Sequence, residues 1–134
     1  MNIALKSPLG RICATLLFGL VSATSQQAFA DRCNANAGNT NYHSIEGKNK
    51  YVFAFDVNAS TCNEYSCRGW VKFAIRYHYR GDSQTVIDRT LLQYSVDRGN
   101  SQSHVSMEHW VGNAGGTPTV VDDVAVEEVS CSTP

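Results

Sequence analysis

From Tyr51 onward, apolar and polar side chains alternate along the chain with a period of two. The segment 50–57 places four apolar side chains on one face: Tyr51, Phe53, Phe55 and Val57. The segment 69–80 does the same with Val71, Phe73, Ile75, Tyr77 and Tyr79. Alternation of aromatic and β-branched residues with polar ones is typical of half-buried β-strands. Because no segment after residue 30 has a helical period, the sequence predicts an all-β protein.

Three more segments continue this pattern. They are residues 85–96, 103–111 and 119–131, and polar or glycine-rich stretches typical of turns separate them. A weaker strand is expected around residues 41–47. Strands at this spacing indicate an antiparallel sandwich or a small barrel. We expect a small antiparallel β-sandwich of about six or seven strands, with an immunoglobulin-like arrangement rather than a barrel.

The first thirty residues have the three parts of a secretory signal peptide. Lys6 and Arg11 precede an apolar run over residues 12–21, and Ala28-Phe29-Ala30 forms an A-x-A cleavage signal. The apolar run is about half of the roughly 20 residues that a helix needs to cross a bilayer, so no stable membrane insertion is expected. The sequence predicts a signal peptide over 1–30, cleavage near Ala30, and a single secreted or periplasmic domain over 31–134.

The charge of the chain bounds the classes of partner. The formal net charge is −1, with 11 basic and 12 acidic residues, and it becomes −3 when Lys6 and Arg11 leave with the signal peptide. Proteins that bind nucleic acids non-specifically carry a basic field. A mildly acidic domain is therefore not expected to bind nucleic acid, and proteins, glycans and small molecules remain.

Four cysteines follow the signal peptide, and they are Cys33, Cys62, Cys67 and Cys131. An even number of cysteines in a short exported chain indicates a disulfide framework. Of the three possible connectivities we favour Cys62–Cys67, which closes a short loop, with Cys33–Cys131, which ties the start of the domain to its end. The alternative is a zinc site, but such sites usually need two closely spaced cysteine pairs. We expect no metal and no cofactor.

A turn is expected between the segments 69–80 and 85–96. If Gly81 to Gln84 form a hairpin loop, the apolar faces of the two strands coincide. This register pairs Val71 with Tyr94, Phe73 with Leu92, Ile75 with Thr90, Tyr79 with Val86 and Arg80 with Thr85. Glycine permits unusual backbone angles, and Asp and Ser bond to their own backbone in turns, so turn chemistry accounts for this loop.

The same loop contains Arg80-Gly81-Asp82-Ser83. This tetrapeptide resembles the integrin-binding sequence that fibronectin type III modules present at a hairpin tip, which would imply an integrin as partner. The resemblance covers these four residues. Whether Arg80-Gly81-Asp82 is a ligand or only a turn stays open from the sequence.

Basic side chains gather on the face turned away from the predicted core. In the predicted register Arg76 lies opposite Arg89, and like charges in such positions are unfavourable. Either carboxylates of a neighbouring strand or an anionic ligand would neutralise them, since arginine pairs bind carboxylate and sulfate groups at two points. The candidate binding residues are Trp70, Lys72, Arg76, His78, Arg80, Gly81, Asp82 and Arg89.

Four acidic residues interrupt the valine-rich segment near the end of the chain, and they are Asp122, Asp123, Glu127 and Glu128. Successive side chains of a strand point to opposite faces, so these carboxylates are not expected to converge on a cation. We interpret them as charges that protect a β-prone segment from aggregation. The group His104, Glu108, His109 and Trp110 matches no zinc-protease motif, and a strand would place Met107 and His109 on the face opposite to the others.

Catalytic motifs are absent from the sequence. It has no G-x-S-x-G elbow, no H-E-x-x-H and no phosphate-cradling glycine loop, so we name no catalytic residue. We expect an exported, non-catalytic binding module that recognises a protein or a glycan through an exposed sheet face or loop tips. Such a module could be an adhesin, a toxin-associated subunit, or an envelope inhibitor or immunity protein. The alternative is a small secreted or periplasmic hydrolase, because catalytic triads assemble from distant positions.

Overall fold

The computed structural model describes residues 33–45, 49–62 and 64–133. Within these ranges the chain forms six strands and no helix, which confirms the all-β prediction for this part of the chain. The strands are β1 (Asn34–Ser44), β2 (Lys50–Ser60), β3 (Cys67–Tyr79), β4 (Val86–Val96), β5 (Gln102–Trp110) and β6 (Thr119–Val129). The predicted signal peptide over residues 1–30 and its cleavage site near Ala30 lie outside the described residues. No helix suited to a bilayer crossing occurs in the described ranges.

The strands form two three-stranded antiparallel sheets. Sheet A has the order β1-β2-β5, and sheet B has the order β4-β3-β6. The β1–β2 and β3–β4 connections are hairpins within one sheet, whereas the three other connections pass between the sheets. This order places β2 and β3 at the sheet centres and leaves β1, β5, β4 and β6 as edges of the described structure.

The core lies between the two sheets. Phe53 and Phe55 on β2 meet Phe73 on β3, with ring centroids 5.4 and 4.8 Å apart, and none of the three rings is exposed to solvent. Burial of a side chain of this size contributes about 1.5–3 kcal/mol. The alternating faces predicted for residues 50–57 and 69–80 are therefore the faces that meet in the core.

Two disulfides join the sheets at one end of the molecule. They are Cys33–Cys131 and Cys62–Cys67, the connectivity favoured from the sequence, and each has a Cα–Cα distance of 5.4 Å. The first ties the start of β1 to the residue that follows β6, and the second closes the β2–β3 connection. We call this end, which includes the connections 61–66 and 97–101, the disulfide end. Disulfides in a small domain are typical of oxidising compartments outside the cytoplasm.

The predicted register of the β3–β4 hairpin is wrong by two residues. Val71 pairs with Leu92 instead of Tyr94, and Tyr77, rather than Tyr79, pairs with Val86. The other predicted pairs shift in the same way, since Phe73 pairs with Thr90 and Ile75 with Asp88, and Arg80 does not pair with Thr85. A shift of two keeps every side chain on its face, so the apolar pattern cannot distinguish the two registers.

A turn over residues 79–82 lies between the two strands. The Asp82 amide donates to the Tyr79 carbonyl (2.9 Å), and Gly81 has a φ of 90°. A positive φ at the third residue is the arrangement of a type II turn, which glycine adopts at little cost. The strand therefore ends at Tyr79, one residue before Arg80, which the sequence-based register placed in the closing pair of the hairpin.

Ser130 and Tyr94 pack closely against Gly69 near the disulfide end. The Tyr94 hydroxyl donates to the Ser130 carbonyl (2.7 Å), and Gly69 lies beneath this contact. A Cβ at position 69 would lie 2.0 Å from the Ser130 oxygen and 2.9 Å from the Tyr94 ring. Only glycine fits here without a movement of the main chain.

We therefore expect Gly69→Ala to lower the free energy of unfolding by about 3 kcal/mol, the upper range for overpacking. Denaturant unfolding of the oxidised protein measures this. Gly38→Ala is the matched control, because no atom lies within 4 Å of a Cβ placed there. Equal stability of the two variants would contradict this packing.

Candidate functional site

The candidate residues predicted for the outer face of sheet B do lie on that face. Trp70, Lys72 and His78 are half-buried, and Arg76 and Arg89 are exposed. The predicted opposition of Arg76 and Arg89 is wrong, however. Because the register is shifted by two, Arg89 lies opposite Ala74, and Arg76 lies opposite Ile87.

Carboxylates of β6 neutralise much of this basic face. Glu127 lies 2.9 Å from Arg89 Nε and 3.9 Å from Lys72 Nζ. His78 Nδ1 lies 2.9 Å from an Asp122 oxygen. The sequence left two ways to neutralise the basic face, either carboxylates of a neighbouring strand or an anionic ligand. The structure contains the carboxylates, which β6 supplies. An anion site on this face stays a prediction, and it would compete with these contacts.

Two β-bulges in β6 bring the carboxylates to this face. The register with β3 shifts at Asp122 and again at Glu127. As a result both members of each acidic pair are exposed, Asp122 with Asp123 and Glu127 with Glu128. This corrects the expectation that neighbouring acidic residues point to opposite faces. The signal was present in the sequence, since the inward valines of β6 stand at 121, 124, 126 and 129, with three-residue steps at both acidic pairs.

The outer face of sheet B also has a shallow depression of about 410 Å³. Its lining consists of Trp70, Lys72, Arg89, Thr90, Leu91 and Glu128. Leu91 and Ile87, four residues apart on β4, are exposed to 53% and 47%. The face is therefore a mixed surface of paired charges and exposed aliphatic side chains rather than a basic patch.

A larger cavity of about 920 Å³ opens at the end of the molecule opposite the disulfides. We call it the end cavity. It lies among the β1–β2, β3–β4 and β5–β6 connections and the adjoining strand ends. Its lining consists of Tyr42, His43, Ser44, Ile45, Asn49, Tyr51, Arg80, Trp110, Gly115, Gly116, Pro118, Thr119, Val120 and Val121. Arg80 belongs both to this cavity lining and to the candidate binding residues predicted from the sequence.

Asn49 holds the 111–118 connection in place. Its amide nitrogen donates to the carbonyls of Asn113 (3.0 Å) and Thr117 (2.9 Å), and its amide oxygen accepts from the Thr119 main chain (2.9 Å). Only 5% of Asn49 is exposed. Satisfied hydrogen bonds of a buried amide fix the loop because breaking any of them leaves a polar group without a partner.

Two further contacts attach the same connection to the strands. The buried Tyr51 hydroxyl donates to the Thr119 carbonyl (2.7 Å), and the Val111 amide donates to the Asn49 carbonyl (2.8 Å). The amide of Arg80 donates to the Pro118 carbonyl (2.7 Å), which joins the β3–β4 turn to this loop. Hydrogen bonds thus attach the 111–118 connection and the β3–β4 turn, which form two parts of the cavity wall, to the adjoining strands.

The Arg80-Gly81-Asp82 segment is an exposed turn beside this cavity. Asp82 Oδ1 accepts a hydrogen bond from the Gln84 amide (3.0 Å), as expected for an aspartate that stabilises its own turn. Turn chemistry thus accounts for Gly81 and Asp82. Arg80 differs from them, because it belongs to the lining of the end cavity and its guanidinium makes no ion pair with any carboxylate of the described residues.

The apolar part of the cavity lining combines aromatic residues with the aliphatic residues Ile45, Pro118, Val120 and Val121. Trp110 is 41% exposed, and Lys50 Nζ lies 5.9 Å from the centroid of its ring. Lys50 also pairs with Glu108. Tyr42 packs on Phe53 of the core with ring centroids 6.2 Å apart. A cavity of this size with anchored aromatic walls and one cationic group at its edge is suited to holding part of a larger molecule.

Histidine–aspartate contacts occur on the sheets but do not form a triad. In each of three pairs a ring nitrogen lies within 2.9 Å of a carboxylate oxygen: His78–Asp122, His104–Asp56 and His109–Asp88. A hydrolytic triad would join the second ring nitrogen to a nucleophile. Among the described residues no such hydrogen bond to a serine, threonine or cysteine is present.

The end cavity could not be found from sequence motifs. Asn49 contacts residues 64 to 70 positions away along the chain, so no local spacing reveals the network. The sequence predicts that Trp110 shares a face with His104 and Glu108, and the exposure of these three residues on β5 confirms this. That placement alone did not indicate a cavity.

Comparison with known proteins gives no relative from which a role could be transferred. No family model matches the chain, and neither does any curated protein or solved structure.

Removal of the Asn49 amide should open the cavity wall. We expect Asn49→Ala to lower the free energy of unfolding by about 3 kcal/mol, because buried hydrogen-bond partners lose their contacts. Amide hydrogen exchange should accelerate in residues 111–119. Asn58→Ala is the control, since Asn58 is exposed and makes one long hydrogen bond of 3.4 Å. Unchanged exchange in Asn49→Ala would contradict the role given to this residue.

Asp56 should contribute to the acid sensitivity of the protein. Its hydrogen bond with His104, and then the one from Asn39 (2.8 Å), hold the pKa of Asp56 below the ordinary value of 3.8. A lowered pKa in the folded state stabilises the protein above the unfolded pKa, and this stabilisation is lost as the pH falls through the folded pKa. Asp56→Asn should therefore flatten the fall of unfolding midpoints below pH 3.8. The same slope in both proteins would contradict this assignment.

Proposed function

We propose that this protein is an exported, non-catalytic binding module that holds part of a protein or a glycan in the end cavity. The observation that carries the proposal is the combination of aromatic walls with the Arg80 side chain, which has no carboxylate partner among the described residues. Cavities of about 300–1,000 Å³ are the usual size for bound groups.

The residues of the cavity favour a ligand with both an apolar or sugar surface and a negative group. Trp110 and Tyr42 offer ring faces and edges, on which sugars and aliphatic or aromatic side chains pack. Arg80 can bind a carboxylate or a sulfate at two points. An acidic residue of a protein loop or an acidic sugar would meet both requirements.

The organisation of the loops supports a binding role in preference to a purely structural one. The hydrogen bonds of Asn49, Tyr51 and the Arg80 amide order the cavity wall before any ligand arrives. A preordered wall reduces the conformational entropy that binding costs. The acidic balance of the chain and the carboxylates that flank Lys72 and Arg89 favour proteins or glycans over nucleic acids as partners.

We also infer an immunoglobulin-like arrangement for the domain. In such domains strands A, B and E form one sheet, and strands C and F lie in the other. Here β1, β2 and β5 occupy the first set, β3 and β6 the second, and β4 takes the position of a C′ edge strand. The end cavity then lies among the A–B, C–C′ and E–F loops, at the end of the sandwich opposite the B–C loop. Loops held by a rigid scaffold are common positions for binding residues.

Two substitutions in the end cavity test the proposed function. We expect Arg80→Gln and Trp110→Ala to weaken capture of the partner from envelope and host-cell extracts by about 10- to 100-fold, the loss of one charged hydrogen bond or one aromatic anchor. Quantitative mass spectrometry of the captured proteins, and a glycan array for sugars, measure this.

Arg98→Gln is the matched control, because Arg98 is exposed in the connection 97–101 at the disulfide end. It should capture the partner as the unmodified protein does, and all variants should unfold at the same denaturant concentration. Capture that is equal in the unmodified protein, Arg80→Gln and Trp110→Ala would refute the cavity as the binding site.

A further inference from the structure

We propose that β4 pairs antiparallel with β4 of a second copy of this chain, so that two copies of sheet B join into one continuous six-stranded sheet. This inference concerns a different surface from the end cavity and does not rest on the proposed function. It follows from the condition of the sheet edges, the direction of the main chain in β4, and the side chains that such a pairing brings together.

The edge strands differ in how well they could accept another strand. β1 has a bulge between Gly38 and Asn41, where Asn39 has a φ of 48°, and β6 has two bulges. Bulges at sheet edges obstruct pairing with other chains. β4 pairs with β3 without a shift from Tyr77–Val86 to Cys67–Val96, and β5 pairs with β2 without a shift, so both of these free edges are regular. Of the two, β4 has the exposed aliphatic side chains, Ile87 and Leu91.

The free edge of β4 offers main-chain groups at alternate residues. The Arg89 amide donates to Asp88 Oδ1 (2.8 Å) rather than to β3, so it points away from the sheet. In an antiparallel ladder the N–H and C=O of one residue point to the same side, and the side alternates along the strand. The odd-numbered residues of β4 therefore present both groups at the edge: Ile87, Arg89, Leu91, Gln93 and Ser95.

Pairing about a twofold axis at Leu91 is self-complementary. It places Leu91 opposite the Leu91 of the second copy, Arg89 opposite Gln93, and Ile87 opposite Ser95. No two like charges meet, and all of these positions are hydrogen-bonded pairs of an antiparallel ladder, with Cα atoms about 5.5 Å apart. The Arg89 amide would exchange its contact with Asp88 Oδ1 for the carbonyl of Gln93 in the second copy. The central leucines, each 53% exposed in the single chain, would then contact each other across the interface.

The charges of β6 make the same pairing unfavourable at the other edge of sheet B. Its exposed residues include Asp122, Asp123, Glu127 and Glu128. Antiparallel pairing of two β6 strands would bring carboxylates of the two copies together, and like charges opposite each other are destabilising. Pairing through β4 is therefore the arrangement that this sheet favours.

Sedimentation equilibrium of the oxidised protein over a range of concentrations tests the proposal. We expect a concentration-dependent dimer for the unmodified protein. Leu91→Lys should weaken dimerisation at least tenfold, because two like charges then meet at the centre of the interface. Val120→Lys is the control, since Val120 is an exposed apolar residue on β6, and it should leave the dimer unchanged.

A charge exchange identifies the register. Leu91→Lys and Leu91→Glu should each be monomeric alone, and a mixture of the two should form a heterodimer. A monomeric unmodified protein up to about 1 mM would overturn the proposal. So would a dimer that Leu91→Lys leaves intact, or a mixture that does not associate. Arg80→Gln should not change the mass, which separates this result from the test of the end cavity.

Discussion

The rings of Phe53 and Phe55 pack on Phe73 between the centres of the two sheets, and the rest of the domain is arranged around this contact. β2 and β3, which supply these rings, lie in the middle of their sheets, and the other strands are edges of the described structure. A small domain with four edge strands must protect them from other chains. Bulges and acidic side chains serve that purpose on β6, and a bulge does so on β1.

The two ends of the sandwich are held by different kinds of interaction. Two disulfides close one end, where the sulfurs of Cys33, Cys67 and Cys131 lie within 4.8 Å of one another. Hydrogen bonds centred on Asn49 hold the loops of the other end. The Cys33–Cys131 bridge limits movement of the start of β1 against the end of β6.

Much of the fold follows from local patterns in the sequence, and much of the candidate site does not. The period of two identified the strands and the inward faces of β2 and β3, because burial acts on each side chain according to its face. The same period leaves the β3–β4 register ambiguous by two residues, and the structure pairs Val71 with Leu92 rather than Tyr94. The end cavity depends on contacts between residues such as Asn49 and Thr119, which are 70 positions apart and have no local signal.

Site-specific photo-crosslinking tests most directly the proposed binding of a partner at the end cavity. A benzophenone amino acid in place of Trp110 would lie at the end cavity, and one in place of Tyr65 would lie at the disulfide end, where Tyr65 is 51% exposed. Irradiation in cells or extracts should give a discrete adduct from position 110 and none from position 65. An adduct from position 65 alone would contradict the account.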